Sequence, residues 1–145
     1  MVATVTGTET LESQAAIAAA ADEDQELPAA IAKAIVDMDT LIKLLVAELP
    51  RAKPWQRQMA SHLAGIDGRL QIIRLTISLD RGGSEVLQEA GMLYEACRRA
   101  GAMLAGSRAD HSTRSALQLA VALAAGLRGN MERHLNELAE QMAGQ

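Results

Sequence analysis

Residues 55–79 read WQRQMASHLAGIDGRLQIIRLTISL, and the fold class turns on whether this stretch is helix or strand. Ile72 to Ile77 is rich in β-branched side chains and alone would pass for a short buried strand. Over the whole stretch, however, Trp55, Met59, Leu63, Ile66, Leu70, Ile73 and Ile77 recur at steps of three and four. Such steps put side chains on one side only in a helix, which repeats about every 3.6 residues. Pro54 stands where a first helical turn tolerates a missing N–H. The stretch therefore reads as helix.

Upstream, Ile31, Ile35, Met38, Ile42, Leu45 and Leu49 repeat the same rhythm between Pro28 and Pro50. The acidic residues from Asp22 to Glu26 precede this first helix and suit its positive end. Downstream, Asp80-Arg81-Gly82-Gly83-Ser84 reads as a turn in which the glycines release the chain and Ser84 caps the next helix. That third helix carries Val86, Ala90, Leu93, Cys97, Ala100 and Leu104 inward and leaves at Ala105-Gly106. A turn over residues 107–112 leads to a fourth helix beginning near Thr113. Its seam is Leu117, Ala120, Ala124 and Leu127, continuing as Met131, Leu135, Leu138 and Met142. Four amphipathic segments joined by short loops predict an all-α, antiparallel up-down-up-down four-helix bundle over residues 27–145. Residues 1–26 read as a mobile acidic and Ala-rich tail.

Six glycines fall inside the expected helices: Gly65, Gly68, Gly91, Gly101, Gly126 and Gly129. Each is about 1 kcal/mol worse than alanine in a helix interior. They imply close crossings between helices or genuine breaks, with residues 126–130 as the place where helix 4 would divide.

The 145 residues, 49% hydrophobic and 1% aromatic, fit one folded domain and exclude wholesale disorder. So few aromatics argue against base-stacking platforms and aromatic ligand cages. Cys97 is the sole cysteine, so an intrachain disulfide and a CxxC metal site are both out of reach, and a reducing, cytoplasmic setting is expected. No basic leader opens the chain, and the apolar run from Leu117 to Leu127 falls short of the roughly 20 residues of a membrane span. No membrane partner is expected.

Site chemistry is sparse. There is no Glu-x-x-His, Walker loop, Gly-x-Ser-x-Gly or Gly-x-Gly-x-x-Gly. His134-x-x-Glu137 runs in the reverse order and occurs once. Cys97 lies on the seam of helix 3, where a buried and inert thiol is expected. No catalytic residue, metal ligand or cofactor site is assigned, and a non-enzymatic protein is expected.

Two short resemblances stand beside that reading. Ser61-His62-Leu63-Ala64-Gly65 resembles the phospho-accepting segment of the histidine phosphotransfer domain, itself a four-helix bundle. The likeness implies a signalling role for His62. That family has Lys and Gly at the third and fourth positions after the histidine, where this chain has Gly65 and Ile66. Leu117 to Leu138 is similar to a helix-turn-helix through Ala122, Gly126 and Leu127, with Glu132 at an interior place.

Charge is unevenly spread. Residues 1–50 hold 9 acids and 2 bases, a net of −7, and residues 51–145 hold 9 acids and 12 bases, a net of +3. In an alternating bundle the first and third turns share one end, which would gather Arg51, Lys53, Arg57, Arg98, Arg99, Arg108 and Arg114. Such an end would bind an anion, an acidic protein partner or a nucleic-acid backbone. Apolar residues off the inner seams (Val36, Leu41, Leu44, Ile72, Leu75, Leu79, Met92, Met103, Leu119, Leu123) exceed what one core uses. The leading expectation is an adaptor or assembly protein that acts by protein–protein contact and forms a homo-oligomer. Nucleic-acid binding and histidine phosphotransfer are the alternatives.

Overall fold

The computed structural model describes residues 27–144; the tail expected over 1–26 lies outside the described residues. The described chain is all-α: α1 over residues 27–48, α2 Pro54–Ser78, α3 Gly83–Ala105 and α4 His111–Ala143. The described residues contain no strand, and none of their helices is long and apolar enough to cross a membrane.

The core follows the seams. Ile31, Ile35, Met38 and Ile42 of α1 meet Met59, Leu63, Ile66, Leu70 and Ile73 of α2 in one buried cluster. Ala90, Leu93, Cys97, Ala100 and Leu104 of α3 join it, with Leu117, Ala120, Ala124, Leu127 and Met131 of α4. Alanines at four of these places bring helix axes close while the larger side chains fill the space between. α3 packs on both α2 and α4, whereas the backbones of α2 and α4 do not approach one another. Burial pushes the Cys97 thiol up to about 12, so it stays protonated and unreactive.

Several expectations need correction. The α2 seam leaves the core one turn early: Thr76 is buried, its hydroxyl donating to the Ile72 carbonyl at 2.7 Å, while Ile77 is 44% exposed. α2 closes with Asp80 N–H on the Ile77 carbonyl and Arg81 N–H on the Thr76 carbonyl, a Schellman pattern. Its left-handed residue is Asp80, at φ 52°, and no described glycine has positive φ. The glycines of that turn therefore do not release the chain as expected.

Gly82, rather than Ser84, is the N-cap of α3. Gly83 has a steric role instead, because a Cβ there would overlap the Leu135 side chain. α4 starts at His111 behind an Asp110 N-cap, two residues before Thr113, and runs unbroken through residues 126–130. Nor do the interior glycines mark crossings within the bundle. Around Gly65, Gly68, Gly91, Gly126 and Gly129 an added Cβ would meet nothing within 4 Å, and at Gly101 only Val121 at 3.9 Å.

At 33 residues, about 50 Å, α4 outruns the 23-residue α3, about 35 Å. Met131 is its last buried residue; Leu135 is half-buried, and Leu138 and Met142 of the expected seam are exposed. Among the described residues no helix faces those two.

Candidate functional site

Two turns border one cavity. Pro50 and Lys53 from the α1–α2 turn, and Arg108 and Asp110 from the α3–α4 turn, line a space of about 520 Å³. Its walls are apolar: Leu45 of α1 and Leu49 just past its end, Met59 and Leu63 of α2, Leu104 of α3, Leu117 of α4. Trp55 also lines it, with an indole Nε1 that is buried and has no hydrogen-bond partner among the described residues. Glu48 and Asp110 offset Lys53 and Arg108 around the opening, so the local charge is balanced. The Thr113 hydroxyl, hydrogen-bonded to the Asp110 carboxylate, is the main reason its pKa lies below the ordinary range.

The seven expected partner-binding bases divide into three groups. Arg51, Lys53 and Arg108 are exposed on the two turns. Arg57 and Arg114 are turned back onto the backbone. Arg57 Nη1 donates to the carbonyls of Arg51 at 3.2 Å and Ala52 at 2.8 Å. Arg114 Nε donates to the Ala109 carbonyl at 3.0 Å, and its Nη2 to the carbonyl of Ser107. Each arginine is the fourth residue of its helix, and each satisfies carbonyls that a tight turn leaves open. Arg51-Ala52 before Arg57 and Arg108-Ala109 before Arg114 share one spelling, Arg-Ala, four residues, Arg. A search for hydrophobic repeats misses this pattern because its middle four residues differ.

Arg98 and Arg99 sit on the body of α3, about two turns before its end. Arg98 pairs with Glu95 at 3.5 Å and lies 6.0 Å from the Tyr94 ring, which Arg128 of α4 approaches at 5.9 Å. Arg99 borders a small pocket with His62. Among the described residues no cluster of three or more His, Cys, Asp or Glu side chains could hold a metal ion.

The surface is most uneven on the outside of α2. Ser61, Gly65, Gly68, Ile72, Leu75 and Leu79 step by 4, 3, 4, 3, 4 and are all exposed, Leu75 at 58% and Leu79 at 55%. Gln58, Ala64, Gln71 and Ser78 beside this stripe carry no charge, and Arg69 borders it on the side toward α3. It is a second heptad-type seam, about 27 Å long, on the side of the helix away from the core. Ile72, Leu75 and Leu79 are visible in the sequence as surplus apolar residues. Their continuation through Ser61, Gly65 and Gly68 is missed, because small residues score weakly as hydrophobic. Of the other surplus residues, Leu41, Met103 and Leu123 are half-buried against the core and drop out of the surface count.

Comparison with protein-family models, with curated proteins and with solved structures finds no match for this chain.

Proposed function

We propose that this chain is a non-enzymatic helical assembly protein that pairs with a second copy of itself through the outer seam of α2. The uncharged Ser61-to-Leu79 stripe carries the reading. Gly65 and Gly68 each forgo about 1 kcal/mol of helix stability relative to alanine, and an added Cβ at either would meet no described residue within 4 Å. Contact with a facing helix offsets that cost, since bare backbone lets two helices approach closely. Ile72, Leu75 and Leu79 then supply apolar area at the wider end of the same stripe. One patch used by both copies makes a two-fold dimer that closes on itself.

The same proposal takes the bundle to alternate in direction, up-down-up-down. Two cavities support this. One joins the α1–α2 turn to the α3–α4 turn; the other joins Pro28 and Ile31 of α1 to Asp80 and Gly83 of the α2–α3 turn. A cytoplasmic setting suits a lone, buried thiol.

Sedimentation equilibrium of the full chain at micromolar concentration tests the pairing. The expected result is a dimer that Leu75→Glu weakens by about tenfold or more at unchanged helicity, because a charge would be buried in the contact. Val36→Glu on α1 should leave the dimer intact. A monomer for the unaltered chain across the concentration range, or equal weakening by both variants, overturns the proposal.

A further inference from the structure

Where α2 lies against α3, Ser61, His62, Gly65, Arg69, Ala96 and Arg99 line a pocket of about 250 Å³. Three of the six side chains are basic, one is a hydroxyl, and the other two are too small to fill the space. The Ser61 hydroxyl, the His62 ring and the Arg99 guanidinium form no hydrogen bond with any described residue, and Arg99 has no acid within 4 Å among them. Arg69 alone is engaged, 3.6 Å from Glu89 and 3.6 Å from the Met92 sulfur. Glu89 offsets one of the two permanent positive charges and leaves the other without a counter-ion. Like charges brought together across a helix–helix groove repel, and a bound anion removes that repulsion.

We propose that this pocket binds the phosphoryl group of a small phosphate monoester. A tetrahedral dianion can take hydrogen bonds from Arg99, Arg69, His62 and Ser61 at once, and a guanidinium fork matches two of its oxygens. The missing Cβ of Gly65 leaves room for the group to approach α2. The pocket exceeds a bare phosphate in size, so it also admits part of the organic portion. Mostly polar walls disfavour an apolar ligand. Ser61 and Gly65 also belong to the Ser61-to-Leu79 seam, whereas Arg99, Arg69 and His62 lie outside it, so the site is tested in a monomeric background as well as in the unaltered chain.

NMR titration of the full chain with inorganic phosphate and, separately, with ribose 5-phosphate tests it, reading the His62 ring and Arg99 side-chain signals. Sodium sulfate and sodium chloride at matched ionic strength are the controls. Saturable shifts with ribose 5-phosphate, weakened about tenfold or more in Arg99→Gln and unchanged in Arg108→Gln, are expected. Equal affinity for inorganic phosphate assigns the pocket to free phosphate; tighter binding of the ester assigns it to a phosphorylated metabolite. Both outcomes keep the site. No saturable shift, or the same response to sulfate and chloride, overturns it. Repeating the titration in Leu75→Glu separates failure of this site from failure of the dimer.

Discussion

α2 carries two stripes with the same spacing and opposite fates. Its inner stripe, Met59, Leu63, Ile66, Leu70 and Ile73, is at most 1% exposed and is covered by neighbouring helices. Its outer stripe, Ser61 to Leu79, is exposed among the described residues. On α1 the corresponding outer positions are Ala29, Lys33, Val36, Thr40, Lys43 and Ala47. There two lysines interrupt the stripe and pair with Asp37 at 2.8 Å and Asp39 at 2.9 Å, as a solvated face would. α4 is intermediate: Ser115, Leu119, Ala122, Gly126 and Gly129 are uncharged, and the stripe then ends at Arg133. The contrast teaches that spacing makes a stripe, whereas charge and covering decide whether it becomes core or stays exterior.

The contrast breaks most sharply at the inner stripe. Leu70→Ala empties a fully buried site and should lower unfolding free energy by about 2–5 kcal/mol, whereas Leu75→Ala in a monomeric background should shift it by less than about 0.5 kcal/mol. Urea denaturation of the two variants checks this, and equal losses would erase the distinction between the stripes.

The glycines sharpen it. With Leu75→Glu holding the chain monomeric, Gly65→Ala and Gly68→Ala should each raise stability by up to about 1 kcal/mol, since neither new methyl meets a neighbour. In the unaltered chain the same changes should weaken the dimer, because the methyls stand where the second helix would approach. Thermal melts beside sedimentation read the two effects separately. Alanines that strengthen both would leave the glycines unexplained.

The smallest effect lies between α1 and α2. The Asp39 carboxylate accepts from Lys43 at 2.9 Å and from Gln71 of α2 at 3.2 Å, with Arg74 of α2 at 3.5 Å. The Lys43 hydrogen bond is the main cause that holds its pKa below the ordinary carboxylate range, with Gln71 and Arg74 adding to it. A depressed acid contributes stability above its unfolded pKa, and that stability is lost as pH falls through the folded value. Below about pH 4 the unaltered chain should therefore lose up to about 1 kcal/mol that Asp39→Asn does not. Parallel acid-titration curves for the two would remove this tie from the α1–α2 contact.

Much of the architecture was legible because burial follows spacing. Ile31, Ile35, Met38 and Ile42, and Leu63 through Ile73, sit in the core where their rhythm put them. The rhythm misled where a helix outlives its neighbours. Leu138 and Met142 keep the seam spacing but project beyond α3, and Ile77 falls outside the core as α2 ends. The candidate sites were less legible. Arg57 and Arg114 read as free positive charge, yet their hydrogen bonds to turn carbonyls depend on how each turn bends. Arg99, expected at the end shared by the first and third turns, borders a pocket with His62, which comes from another helix.

Sequence alone fixed the helices and their inward faces, because hydrophobic spacing and proline position act within a few residues along the chain. Which turn carbonyls capture an arginine, which bases share a pocket and which apolar stripe stays uncovered depend on residues far apart in sequence. Those outcomes were settled only by the packing of one helix against the next.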